Sequence, residues 1–462
     1  MTSVWRALGY LRRYRLAAGG ALASLLLVSA ANLAAPQAIR VAVDGGLARR
    51  DGRALLLAVA ALVAIAVVRG VFNFLQGYLA ERASQGVAFD LRDALFARIQ
   101  RLSFSYYDQA QTGQLLTRLT NDVEQVRAFV GSGVIQVAAA LAMLLGSAVL
   151  LFATNALLAL CALAAIAPIG WVMRRFVRRM GPLFAKVQGA LGRLNTLLQE
   201  VLRGLRVVRA FSGEARETAR YRAINEELRD RSVEIVETIS RGFPFVNFFA
   251  NLGTLAVVAV GGALVFSGRL TVGELIAFNS YLGFLLMPIM TLGFLAAQLS
   301  RAGASAQRVF ELLDTPLEVT DAPGAVALPP LEGRVELRDV RFRYAGSERE
   351  ILRGVSFVAE PGQLVAVLGT TGSGKSTIIN LIPRFYDATS GAVLVDGHDV
   401  KGVTLASLRS QIGVVLQDAL LFSGTVRDNI AYGRPGATHE EIVAAARAAQ
   451  AAEFIEALPR GY

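Results

Sequence analysis

Six long apolar runs crowd the first 300 residues of this chain, and no other feature restricts its fold as tightly. They lie at about residues 16–35, 54–80, 129–152, 156–173, 243–266 and 275–299. A hydrocarbon core about 30 Å thick is crossed by about 20 helical residues at about 1.5 Å each, a length that five of the six runs reach or nearly reach. The bulk composition agrees: 54% of residues are hydrophobic, 18% are charged and mean hydropathy is +0.47. Buried core helices of a large soluble protein are the competing explanation, which six such blocks make hard to sustain. The reading is a bundle of six transmembrane helices over residues 1–314. The second run is interrupted by Arg69, which hydrocarbon tolerates only if the side chain faces the bundle interior or an aqueous cavity.

Arginine placement orients the bundle. Arg6, Arg12, Arg13 and Arg15 precede the first run, and Arg174, Arg175, Arg178 and Arg179 follow the fourth. Both clusters favour the cytoplasmic side, with the N-terminus inside. The leader, residues 1–15, has no small-residue cleavage site after a short apolar region and reads as a signal anchor. The outer connections are then short, at 45–53, 153–155 and 267–274. The Arg49-Arg50-Asp51-Gly52-Arg53 loop is a mild exception to the charge rule. The inner connections are long, at 81–128 and 174–241, and both carry helical periodicity with mixed charge. The spans therefore continue as helices into the cytoplasm; about 25 extra residues reach about 37 Å. Short amphipathic turns, Ser103 to Asp108 in the first loop and Arg209 to Glu214 in the second, mark the tips of these stalks. By pattern they are either docking turns or plain helix hairpins. The net charge of +11 is carried almost wholly by arginine, with lysine only at Lys186, Lys375 and Lys401. Because the arginines sit beside apolar blocks, the charge fits anionic lipid headgroups and not nucleic acid. One cysteine, Cys161, excludes a disulfide framework or a cysteine-based zinc site.

A linker rich in Pro, Ala and Asp, residues 315–331, separates this half from one of different period. Strands are predicted at 335–340 and 351–358. After Gln363 to Leu368, which reads as a short buried strand, comes Gly369-Thr370-Thr371-Gly372-Ser373-Gly374-Lys375-Ser376-Thr377, followed by a helical segment to Phe385. The pattern G-x-x-x-x-G-K-[ST] between a strand and a helix turns successive backbone N–H groups toward one point, which suits a di- or triphosphate. Lys375 would neutralise β/γ-phosphate charge, and the Ser376 hydroxyl would take a place on Mg²⁺. Tyr344 lies 25 residues before Gly369, and Gln417 lies 42 residues after Lys375, in Ile412-Gly-Val-Val-Leu-Gln417-Asp418.

Six spans followed by this constellation resemble the ATP-binding-cassette exporters, in the half-transporter form that includes multidrug and lipid A flippases. The resemblance covers essentially the whole chain. It implies an α/β P-loop nucleotide-binding domain at 332–462, cytoplasmic, on a multi-pass protein of the inner (plasma) membrane. It implies that Tyr344 stacks on adenine and that Thr370 to Thr377 wrap the phosphates of ATP. Gln417 would complete the Mg²⁺ shell and, with Lys375, serve the reaction. The two loop tips, near Tyr106 to Gly113 and Phe211 to Tyr221, would be docking helices, and Phe422 to Ile430 is similar to the segment that follows the glutamine. The partners implied are a second half-transporter, the bilayer, and a lipophilic or amphipathic cargo such as a drug or lipid. The family also has a serine-glycine-glycine signature, a second acidic motif with a catalytic glutamate, and a switch histidine. None occurs in this sequence, and His398 and His439 match no such position. The domain is therefore expected to be present in its N-terminal part only, without the elements for hydrolysis, and its sheet to lack the strand beside the phosphate loop. An inactive fragment, or an ATP-gated channel or regulatory protein on the same fold, are the alternative readings.

Overall fold

The computed structural model describes residues 2–417 and 420–462, without the side chains of 2, 165, 166, 177, 286, 287, 289, 290, 292–294, 296 and 297. The chain divides into two compact units, residues 1–98 with 113–314, and residues 99–112 with 315–462.

The first unit is helical throughout. A short helix α1 (Thr2–Gly9) leads through a 3-10 turn into α2 (Arg15–Val41), which passes Pro36 and ends in a π-helical turn, Ala42–Leu47. Next comes α3 (Gly52–Arg101), 50 residues without a break. The short helix α4 (Phe104–Gln109) belongs to the second unit, and the first resumes within α5 (Thr112–Thr117). Two π-helical turns, Arg118–Asp122 and Phe129–Gly133, flank α6 (Val123–Ala128) before α7 (Val134–Thr154). Asn155 then caps α8 (Ala156–Arg203), its Oδ1 accepting from Leu158 N at 3.0 Å. The unit continues through α9 (Leu205–Ala210) and α10 (Glu214–Phe266, 53 residues) to α11 (Val272–Asp314).

Among the described residues, five helical stretches are long and apolar enough to cross a membrane, Ser3–Leu47, Gly52–Arg101, Thr112–Thr154, Ala156–Arg203 and Glu214–Phe266, and Val272–Leu285 is a shorter apolar one. Their outward faces carry the apolar residues: Leu56, Leu57, Val67 and Phe74 of α3 are all more than half exposed. A helix with such a face needs lipid or another helix around it, not water. Helices α8 and α10 pack along one another as a pair, while α11 packs on α7 and α2. Leu151, Leu158, Val257, Phe278 and Tyr281 form the core. The buried Tyr281 hydroxyl donates to Leu33 O at 2.7 Å, which gives the phenol the partner a buried position demands. Arg69, the misfit of the second run, donates from Nη1 to Asn32 Oδ1 of α2 at 3.3 Å. At the wide turn Arg118–Asp122, fully buried Asp122 accepts from Arg308 of α11 at 2.9 and 2.5 Å. A π-helical turn carries an extra residue, which lets one side chain leave the local face.

The second unit is built on a four-stranded antiparallel sheet of order β2-β1-β3-β4, with β1 Val335–Phe342, β2 Leu352–Ala359, β3 Ser390–Val395 and β4 His398–Asp399. Its helices are α12 (Lys375–Leu381), α13 (Leu405–Arg409), α14 (Val426–Ile430), α15 (His439–Ala448) and α16 (Ala452–Glu456). Leu337, Val340, Phe342, Leu381, Val393 and Leu408 make the core beneath the sheet. Helices α14 and α15 start with capping boxes, Thr425 with Asp428 and Thr438 with Glu441.

Gln363 to Leu368, predicted as a buried strand, joins no ladder among the described residues, and neither does the run 412–416. Leu364 is 97% exposed, Leu368 91% and Val415 99%. A strand exists by pairing with a neighbour, and apolar composition alone does not supply one.

Candidate nucleotide site

The phosphate loop leads from Gly369 into α12. Gly374 has φ +94°, and a Cβ there would meet Leu352 Cδ2 at 2.8 Å, so both backbone conformation and space require glycine. At Gly369 a Cβ would meet Ser373 Oγ at 2.5 Å. The loop closes on itself by Ser373 N donating to Thr370 O at 3.2 Å. The amides of Thr371, Gly372 and Gly374 enter no hydrogen bond among the described residues. Lys375 folds back, its Nζ donating to Gly369 O at 2.8 Å and Thr370 O at 2.9 Å. A cation thus lies over the cradle, with backbone donors free around it, an arrangement that fits a bound polyphosphate. Ser376 is exposed, and its hydroxyl makes no hydrogen bond among the described residues, which fits a place on a Mg²⁺ ion.

Tyr344, at the end of β1, is brought to this loop: its hydroxyl is 3.0 Å from Oγ1 of buried Thr377. Its ring stands edge-on to Tyr386, centroids 5.4 Å apart and planes at 88°. Tyr386 in turn donates to Asp108 of α4 at 3.0 and 3.2 Å. Burial, and then the bond to Asp108, push the Tyr386 phenol above the ordinary tyrosine value, so it remains the donor. Gln417 is exposed and makes no hydrogen bond among the described residues; its neighbour Asp418 lies outside them.

Sequence reading missed what surrounds α4. Phe104 packs on Phe385, centroids 4.6 Å apart, and on Tyr386 at 6.1 Å. Gln109 Nε2 donates to Ala345 O at 3.0 Å, next to Tyr344. Ser103 Oγ accepts from Glu318 N and Val319 N at 3.0 and 3.1 Å, and Ser105 donates to the Glu318 carboxylate. A cavity of about 450 Å³ remains beside this turn, lined by Leu102, Phe104, Asp321, Phe385 and Arg409 among others. The run of aromatic residues at 104–107 was the only signal for this packing.

Apolar helices of membrane-crossing length joined to a phosphate cradle define a class, the nucleotide-binding membrane proteins. The comparisons make it specific. Residues 19–289 match the ABC transporter transmembrane region, and residues 352–461 match the ABC transporter domain. The chain is 35% identical over 442 residues to an ATP-dependent lipid A-core flippase of Syntrophus aciditrophicus (strain SB), covering 96% of this chain and 73% of that protein. It is 37% identical over 410 residues to a fatty acid ABC transporter ATP-binding/permease protein of Mycobacterium bovis (strain ATCC BAA-935 / AF2122/97), covering 89% and 64%. The structure of a bacterial Atm1-family ABC exporter with ATP bound is similar with a TM-score of 0.77 and 31% identity, over 97% of this chain and 79% of that one. The chain belongs to the ABC transporter family, with the membrane region and the ATP-binding domain of an exporter in one polypeptide.

Proposed function

We propose that this chain is one half of a dimeric, ATP-driven exporter in the inner membrane, with its N-terminus and nucleotide-binding domain cytoplasmic and a lipophilic or amphipathic cargo. One observation carries the reading: the path from Thr377 through Tyr344 and Tyr386 to Asp108 joins the phosphate cradle to the turn at α4. In this reading Tyr344 leaves Thr377 to stack on adenine, and its move alters the edge contact that positions Tyr386 against Asp108. Lys375 exchanges the carbonyls of Gly369 and Thr370 for phosphate oxygens, and Ser376 and Gln417 hold Mg²⁺, which would neutralise phosphate charge. Two nucleotides clamped between two chains would bind the closed pair better than the open one, and that difference drives the change of access. Taking an equilibrium from 1:99 to 99:1 needs about 5.5 kcal/mol of differential binding. The names of the relatives, lipid A-core flippase and fatty acid transporter, support a lipid-like cargo.

The test is ATP-dependent uptake of labelled amphiphiles into inverted vesicles carrying the protein. Lys375→Ala removes the cradle's cation and is expected to lower ATP-driven uptake about a hundredfold or more. Uptake that ignores this substitution would refute the proposal, and current flowing only downhill would make the protein a channel.

A further inference from the structure

The face where α8 and α10 meet holds a second cavity, of about 460 Å³. On α8 it is lined by Pro168, Trp171, Val172, Arg175, Phe176 and Arg179, at the i, i+3/i+4 spacing of one helix face. On α10 Thr238, Arg241, Gly242, Phe245 and Phe249 line it in the same manner. Gly242 lets the two helices approach: a Cβ there would meet Phe176 Cδ2 at 3.3 Å. The lining is divided along the helices. Trp171, Phe245 and Phe249 lie toward the apolar runs, and the three arginines toward the polar extensions.

The charge here is unbalanced. Arg241 has one carboxylate within reach, Glu237 at 3.3 Å. Arg175 and Arg179 have no ion pair or hydrogen bond among the described residues, and neither do their neighbours Arg174 and Arg178, which do not line the cavity. Two guanidiniums one turn apart repel each other, and each offers a planar fork of donors matched to a carboxylate or phosphate. Behind them lies an aromatic wall with room for hydrocarbon. We propose that this cavity binds a single-chain amphiphile, its anionic headgroup held by Arg175 and Arg179 and its chain laid along Trp171, Phe245 and Phe249. A cavity of this volume is of ordinary ligand size, and it favours one chain over a two-chain lipid. The site names a cargo class for the export proposed above and rests on that reading only for the direction of movement. Binding itself needs no ATP.

The chain has two tryptophans, Trp5 and Trp171. With Trp5→Phe in place, Trp171 fluorescence reports on the cavity alone. The purified protein in neutral nanodiscs is titrated with a brominated fatty acid, a brominated alkyl phosphate, the matching brominated alcohol, and brominated phosphatidylglycerol. Saturable quenching by the fatty acid or the alkyl phosphate, and not by the alcohol, is expected; which of the two saturates at lower concentration identifies the headgroup. Arg175→Gln with Arg179→Gln should weaken the apparent affinity about tenfold or more, while Arg174→Gln with Arg178→Gln should leave it unchanged. Quenching by the alcohol equal to that by the anions would overturn the proposal. So would linear, unsaturable quenching like that of bulk phosphatidylglycerol, or Trp171 shielded from every probe by a second copy of the chain. The wild-type comparison among probes decides the matter even if the double variant fails to fold. Saturable binding without ATP-driven uptake would sink the export reading and leave the site standing; uptake without saturable quenching would do the reverse.

Discussion

Two turns of similar length close the two long helical excursions of this protein, and they have opposite fates. The turn at α4 is packed: Phe104 on Phe385 and Tyr386, Asp108 bonded to Tyr386, Gln109 to the backbone of Ala345. The turn after α9 is bare: Phe211 is 81% exposed and Val207 60%, although Gly213 N closes the turn onto Val208 O at 2.8 Å. Both have an apolar aromatic tip, yet only one finds its surface within its own unit. An apolar tip states a need for a surface and not whose surface it is. The dimer proposed above would supply the second tip's surface from the other chain.

Five substitutions bear on this contrast. Phe104→Ala removes an aromatic contact and part of a buried ring, a loss of about 2 kcal/mol, so hydrogen exchange at residues 104–110 should speed up about thirtyfold. Unchanged exchange would mean the first turn is no better anchored than the second. Tyr386→Phe keeps the ring and deletes the donor to a carboxylate, costing about 1.5 kcal/mol; the same amides should exchange about tenfold faster. Tyr344→Phe loses only the contact with Thr377 and keeps the stacking surface, so ATP affinity, measured by calorimetry, should change less than about fivefold. Tyr344→Ala is the harsher control, since base stacking on an aromatic ring contributes about 1–3 kcal/mol. Phe211→Ala is expected to shift the stability of the isolated chain by no more than about 0.5 kcal/mol, while weakening crosslinking between chains. A marked loss of stability in the monomer would show that this turn, too, is packed internally.

The sequence made some of this legible and hid the rest, for physical reasons. Helices α2, α3, α7, α8 and α10 could be read because a bilayer imposes a length and forbids charge, and both conditions are local in sequence. Their extension beyond the apolar runs was legible from 3.6-residue periodicity. The phosphate loop could be read because its glycines answer to backbone geometry within nine residues, as Gly374 shows. The strand expected at 363–368 failed because pairing is a property of two segments, and apolar composition in one cannot supply the other. Tyr386 escaped notice because its role depends on Tyr344, 42 positions earlier, and on Asp108, 278 positions earlier. The cavity between α8 and α10 escaped for the same reason: Arg175 and Arg179 read as ordinary positive-inside residues until Gly242 brings α10 alongside.

The uninterrupted length of α10 has a mechanical consequence. Fifty-three residues at about 1.5 Å each make a rod about 80 Å long. Pivoted near its apolar end, such a rod tilting by about 5° carries its far tip through about 7 Å, more than one helical turn of travel. Motion too slight to disturb packing around the fulcrum is thereby geared up into a stroke large enough to make or break a docking contact at the tip.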